Sequence, residues 1–442
     1  MTEGRRIMNR TDGVSGEADA GLGSDSGSDL GSGSDPEWMA RRLDEAFGAD
    51  HVVRVAPERL HPAIVHQPTR AFLSGTGLMR GTGLLELAPD LGDGARQVSD
   101  LFPDEDEVPD GAGEFVVLGS LAPDEYDPGE YIVLDGRTGR VHALHDPDES
   151  RLLASGLYSF TLFALALEWL RTDRGIFEGF AGRYGPEAVA ESTGTLLGLL
   201  REHDPVLLGS EDEDTEVSAF WRLSLLLRPL TRIAAPGEGD GLAIALPEGL
   251  LEKEYGADAV VRFADEDLLP ALTHEPTRAF LRDTGLVRES VWVSLDDGPL
   301  PTLAEYHADG RDEETYGAPA PGAGGLIRIG YLVEDIDLVI DGASGRVRGW
   351  SIPERRLLPV NSDVSTLAFT QWLIARVRAF DHEHRITDDY VNLAATAAAV
   401  LADVERTARS GAEDAEGTDD GDDNWGYWPE AFHDEAGGGL YA

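Results

Sequence analysis

Histidine and arginine recur at a fixed spacing on either side of a proline. His66, Pro68 and Arg70 stand in the run His-Gln-Pro-Thr-Arg-Ala-Phe-Leu, and His274, Pro276 and Arg278 in His-Glu-Pro-Thr-Arg-Ala-Phe-Leu. An imidazole and a guanidinium four residues apart could hold an anion or relay a proton. The same pair also suits the opening turn of a helix held against a sheet, where proline's missing N–H costs nothing. Half-buried His and Arg are mostly hydrogen-bonded scaffold, so we take the scaffold reading.

The second candidate is a pair of glycine-rich loops, Asp135-Gly136-Arg137-Thr138-Gly139 and Asp341-Gly342-Ala343-Ser344-Gly345. Glycine loops cradle phosphate where they open a helix, but neither run is GxGxxG and each lies between two strand-like segments, so a hairpin turn is expected. His142 with His145, and His382 with His384, have spacings a metal could use. No HExxH or calcium-loop pattern accompanies them, and Arg348 and Ser351 replace the first pair in the repeat described below, so no metal site is assigned. Cysteine is absent, and the single lysine, Lys253, lies between Glu252 and Glu254. That composition excludes disulfides, thiol nucleophiles, thiolate zinc and the P-loop lysine. Carboxylates are so numerous that a hydrolytic pair could always be found, and their abundance is therefore no signal. No catalytic residue and no cofactor is assigned.

Charge is the more informative feature. The 442 residues carry 36 Lys plus Arg against 83 Asp plus Glu, a formal net charge of −47. Such a surplus repels phosphate backbones and anionic lipid, so direct nucleic-acid or membrane binding is not expected. The strongest apolar run, Leu157 to Leu170, is too short to span a bilayer and contains Ser159, Thr161 and Glu168, and a cytoplasmic location is expected. Acids concentrate in three runs without a base: Asp104, Glu105, Asp106 and Glu107 through Asp110; Glu211, Asp212, Glu213 and Asp214 through Glu216; and Glu413 through Asp419, Asp420, Asp422 and Asp423. Read plainly they are solvated loops. Read functionally they are a surface for a basic partner, because the second and third lie in matching places, each just before a tryptophan-bearing segment. Adaptation to a saline cytoplasm is an alternative source of the charge.

The elements that must position these residues come in duplicate. Residues 48–78 and 256–286 align without a gap at an offset of 208, with 21 of 31 positions identical. Tyr131–Val141 and Asp337–Val347 align at an offset of 206. A period this long is a duplicated domain rather than a solenoid. The expected division is a disordered Gly/Ser/Asp-rich tail over 1–35, a first domain over 36–235, a Pro/Gly-rich linker over 236–241 and a second domain over 242–442. In each domain a short extended segment and the proline-started helix precede three strands, expected at Phe115–Leu121, Tyr131–Leu134 and Arg140–Leu144 and at their counterparts. A long, almost wholly apolar helix follows, then a closing helix with Phe220-Trp221 or Tyr427-Trp428. The expected class is α+β: two tandem homologous domains, each an antiparallel sheet packed against helices.

The His-Gln-Pro-Thr-Arg-Ala-Phe-Leu segment, the Asp-Gly-x-Thr-Gly-Arg hairpin and Asn361-Ser362-Asp363 opening the long helix together resemble the SUKH superfamily of bacterial immunity proteins, most of all its fourth subgroup. The resemblance covers both repeats. It implies one α+β domain per repeat and a protein of polymorphic toxin systems that neutralises a cognate toxin by binding it, with no catalysis and no cofactor. A basic, nuclease-type toxin would suit the acidic surface. A non-catalytic scaffold or regulatory module, and less so a carboxylate-based hydrolase, remain alternatives. The first repeat has Ala154-Ser155-Gly156 where the second has Asn361-Ser362-Asp363, so its helix cap is expected to be weaker.

Overall fold

The computed structural model describes residues 36–81, 83–87, 91–92, 94–102, 111–121, 129–145, 149–208, 216–237, 241–308, 320, 322–333, 335–384, 389–410, 427–434 and 437–441. The tail over 1–35 and most of each acidic run lie outside them.

The first domain opens with α1 (Pro36–Phe47), whose Trp38, Met39 and Leu43 form its buried stripe. Strand β1 (Val52–Val53), helix α2 (Gln67–Gly75) and strand β2 (Leu78–Met79) follow, and β1 pairs antiparallel with β2. The main sheet is a five-stranded antiparallel meander of β3 (Leu85–Leu87), β4 (Val116–Leu121), β5 (Glu130–Leu134), β6 (Val141–Leu144) and β7 (Ser150–Ala154). Helix α3 (Val98–Leu101) lies between β3 and β4. After the sheet come α4 (Leu157–Thr172), α5 (Pro186–His203), α6 (Phe220–Leu227) and a 3-10 turn over Arg228–Ile233.

A two-strand hairpin of β8 (Ala235–Pro236) and β9 (Ile244–Ala245) joins the domains. The second domain repeats the plan. Helix α7 (Leu250–Tyr255), β10 (Val260–Val261), α8 (Glu275–Asp283) and β11 (Leu286–Val287) lead into the sheet of β12 (Val293–Leu295), β13 (Leu326–Leu332), β14 (Ile336–Asp341), β15 (Val347–Ser351) and β16 (Arg356–Asn361), with α9 (Leu303–Ala308) between β12 and β13. Helices α10 (Val364–His384), α11 (Tyr390–Ser410) and α12 (Tyr427–His433) complete it.

One face of each sheet carries the main core. Alternation along β4 and β5 sends Val116, Leu118, Ile132 and Leu134 to the side where Phe160 and Phe163 of α4 pack. Ile327, Ile329, Leu338 and Ile340 meet Phe369 and Leu373 of α10 in the same way. Helix α4 and the first half of α10 bury nearly their whole circumference because another helix covers the side away from the sheet, while the C-terminal end of α10 is polar and partly exposed. The three expected strands appear in each domain within a residue or two. The outer strands β3 and β7, their counterparts, and the long helices α5 and α11 are elements that the sequence pattern does not announce.

The domains are docked through α11. Its Ala394, Ala397, Val400 and Val404 share one core with Leu223, Leu227, Leu230 and Ile233 of the first domain. Around that apolar strip, Asn392 donates to Glu130, Arg151 pairs with Glu130 and lies 3.8 Å from Asp389, and Arg228 pairs with Asp403 at 2.6 Å.

Candidate functional site

The duplicated motif forms one compact joint per domain. His66 precedes α2, and its Nδ1 lies 2.8 Å from Thr69 Oγ1; His274 and Thr277 repeat this at 2.8 Å before α8. The hairpin glycines press against that pair. A Cβ on Gly139 would stand 2.4 Å from His66 Nδ1, and one on Gly345 2.3 Å from His274 Nδ1, at φ of +81° and +75° that other residues rarely adopt. The preceding glycines receive the chain: Val65 and His66 N–H donate to the Gly136 carbonyl, and Thr273 and His274 N–H to that of Gly342. Arg70 donates to the carbonyls of Ile64 and Pro57, and Arg278 to those of Leu269 and Leu272. Pro68 and Pro276 occupy the first turn of their helices. Burial pushes the Asp135 carboxyl up, but hydrogen bonds from Thr138 Oγ1 and from the N–H groups of Arg137 and Thr138 outweigh it and hold the group below the usual range. Asp341 is held down likewise, through Ser344 and Ala343. The histidine Nδ1 atoms, the arginine Nη1 atoms and the aspartate carboxyls of this joint thus have internal partners, and the geometry supports docking of helix on hairpin.

A second polar joint, unread in the sequence, sits under each long core helix. In the first domain Asp204, just after α5, accepts from Ser155 N–H at 2.7 Å, Ser155 Oγ at 2.6 Å and Ser159 Oγ at 2.9 Å. In the second, Glu405 of α11 accepts from Ser362 Oγ and, at 3.0 Å, from Asn361 Nδ2. Asp363 there caps α10 by accepting from Ser365 and Thr366 N–H at 2.8 and 3.2 Å. The first domain has no side-chain cap at Gly156, as expected, and Asp204 serves the Ser155 backbone instead. Burial raises the Glu405 pKa, which the hydrogen bonds from Ser362 and Asn361 partly offset. The tryptophans of the closing helices also point inward: Trp221 Nε1 donates to Leu153 O at 2.8 Å and Trp428 Nε1 to Asn361 Oδ1 at 3.1 Å.

On the face of the sheet away from the core helix the two domains differ at three matched positions. In the first domain Val98, Val117, Val133 and Leu144 form a small apolar cluster there, and Phe102 stacks edge-on against Tyr131 at 6.3 Å. Matching bridges, Gln97 to Val116 and Thr302 to Ile327, bring Val117, Tyr131 and Phe102 into register with Arg328, Asp337 and His307. Those three form a buried polar cluster: Arg328 Nε to Asp337 Oδ1 is 2.8 Å and His307 Nε2 to Asp337 Oδ2 is 3.0 Å. Arg328 also pairs with Asp296 and lies 3.7 Å over the Tyr306 ring. The carboxylates raise the Arg328 pKa against the opposing effect of its burial, so it stays charged.

The acidic residues proposed as a partner surface, Asp104, Glu105, Asp106 and Glu107, Glu211, Asp212, Glu213 and Asp214, and Asp419, Asp420, Asp422 and Asp423, lie outside the described residues. His142, one of the metal-spaced histidines, instead stacks on Phe115 at 5.5 Å and lies 3.1 Å from Ser150 Oγ; burial lowers its pKa. Among the described residues no group of three or more His, Asp or Glu could hold a metal ion, and no helix is long and apolar enough to cross a membrane. Two aromatic side chains are conspicuously exposed, Tyr331 at 50% and Tyr184 at 38%, and Val333 stands near Tyr331 at 38%. Burial could not be read for these from the sequence, since Tyr331 has the same alternating context as its buried neighbours on β13.

Two tandem α+β domains of the same plan, each with the same helix-on-hairpin joint, define a duplicated protein. The family model of the SUKH-4 immunity protein matches residues 38–222 and again 246–434, so the chain belongs to that family, in two copies. Neither a curated protein nor a solved structure matches it.

Proposed function

We propose that the protein protects its cell by binding a cognate toxin directly and stoichiometrically, that the toxin is basic, and that no chemistry takes part. The observation that carries this reading is the double match to an immunity family in a chain of net charge −47. An acidic surface is steered to a cationic nucleic-acid groove and competes for it, raising association rates by about 10 to 10³-fold at low salt. Affinity needs a desolvated anchor as well, and Tyr331 with Val333 is the exposed apolar pair best suited to that role. The binding units are residues 36–235 and 242–442, and the β8–β9 hairpin around 236–241 is the joint between them.

The test is to co-express the chain with the toxin encoded beside its gene and to measure complex formation by calorimetry. Protection with one chain per toxin is the expected result. Protection without a complex, or neither binding nor protection, overturns the reading.

A further inference from the structure

A chain this acidic nevertheless gathers arginines in one place. A cleft of about 310 Å³ opens at the domain junction and is lined by Arg171, Arg228 and Arg232 of the first domain and Arg406 of the second, against two carboxylates, Asp173 and Asp403. Asp403 is shared, since Arg228 reaches it at 2.6 Å and Arg406 pairs with its other oxygen. Glu168, just outside the lining, is engaged by Arg171 at 2.6 Å. Arg232 is only 4% exposed; it pairs with Asp173 and donates to the Leu170 and Phe180 carbonyls, yet its Nε has no hydrogen-bond partner. A buried guanidinium donor left unpaired is costly and points to a missing acceptor.

We propose that this junction cleft binds a phosphate group, held by guanidinium forks from both domains. Arginine is suited to that ligand because its planar donors match phosphate oxygens two at a time. The electrostatics agree. Burial is the largest influence on Arg228 and lowers its pKa; Asp403 and Glu168 raise it while Arg406 and Arg171 lower it. The lining itself sets four guanidinium groups against two carboxylates, which leaves room for an anion. The repulsion of the distant acids is screened beyond about 8–10 Å at ordinary ionic strength, whereas the arginines act at contact. Occupancy would also clamp the domains, because Asp403 and Arg406 come from α11 while the other groups come from the first domain. This site is independent of the toxin-binding reading.

The experiment titrates the full chain with inorganic phosphate, pyrophosphate and adenosine monophosphate by calorimetry, and follows thermal unfolding in each against sodium chloride of equal ionic strength. The chloride control matters because any salt relieves self-repulsion in an acidic protein. Binding of at least one of the three, with unfolding shifted upward beyond chloride, is the expected result. Relative affinities then separate free phosphate from a nucleotide. Arg171→Gln and Arg406→Gln, whose side chains are 45% and 66% exposed and so removable without collapse, should each weaken binding at least tenfold while the ligand-free protein keeps its unfolding temperature. No heat and no shift beyond chloride with all three ligands, or undiminished binding by both variants, overturns the proposal.

Discussion

Replacing one member of the Arg328–Asp337–His307 cluster and replacing all three should have opposite outcomes. Asp337 is 2% exposed and Arg328 3%, so Asp337→Ala strands a guanidinium in the sheet's outer core with only Asp296 and the Tyr306 ring to hold it. Breaking a buried pair from one side costs about 3–5 kcal/mol, and the remaining Asp296 contact places this case near about 3. The first domain already supplies an apolar solution at the same register positions: Val117, Tyr131 and Phe102. The triple substitution Arg328→Val, Asp337→Tyr and His307→Phe therefore exchanges a charged cluster for a packed one, and such exchanges are neutral or stabilising by about 1–4 kcal/mol. Urea unfolding followed by tryptophan fluorescence is the assay, with Trp350 in the cluster on this face as one of the eight tryptophans that report. The expected order of midpoints places the triple variant at or above wild type and Asp337→Ala well below it. A loss under about 1 kcal/mol for Asp337→Ala, or a triple variant weaker than the single one, refutes the argument that this cluster is a replaceable alternative to apolar packing.

Four further outcomes follow from the geometry. Gly139→Ala or Gly345→Ala forces a Cβ into the His–Thr pair at positive φ and should cost at least about 1–3 kcal/mol in chemical denaturation; a neutral result removes the joint's role. Glu405→Ala leaves the Ser362 and Asn361 donors unserved under α10 and should destabilise by about 1–3 kcal/mol, measured the same way. Burial raises the pKa values of Glu130 and Asp389, with Arg151 opposing the shift in both, so their contribution to stability is full in mild acid below the unfolded values and falls as pH rises through the folded ones. Asp389→Asn should accordingly flatten the pH dependence of stability above about pH 4 while leaving Arg151 paired with Glu130; an unchanged profile contradicts this. Tyr331→Ala should lower toxin affinity at least about tenfold through a faster dissociation rate, and an unchanged rate excludes it as the anchor.

The fold was legible where the chain follows one period. The repeated segments named both domains, the apolar runs of α4 and α10 named the buried helices, and the Asp-Gly turns named the central hairpins. What escaped notice depends on tertiary context. Strands β3 and β12 are three residues long, too short for alternation to declare itself. Helix α11 is rich in alanine and packs on both domains, so it lacks the long run of large apolar residues that marks α4. Asp204 and Glu405 read as ordinary surface acids, because nothing local reveals that they lie beneath the start of a helix some forty to fifty residues away. Arg171, Arg228 and Arg232 come together only when the first domain folds, and Arg406 joins them only when the domains dock.

The docking through α11 bears on how such a gene can change. Segments as alike as 48–78 and 256–286, identical at 21 of 31 positions, are places where recombination can delete the stretch between them. The surviving single-copy chain would keep α11 but lose Leu223, Leu227, Leu230 and Ile233, leaving Ala397, Val400 and Val404 facing water and Asn392 without Glu130. Such a product would expose an apolar strip that the first copy now covers, so loss of one copy would cost the other its packing.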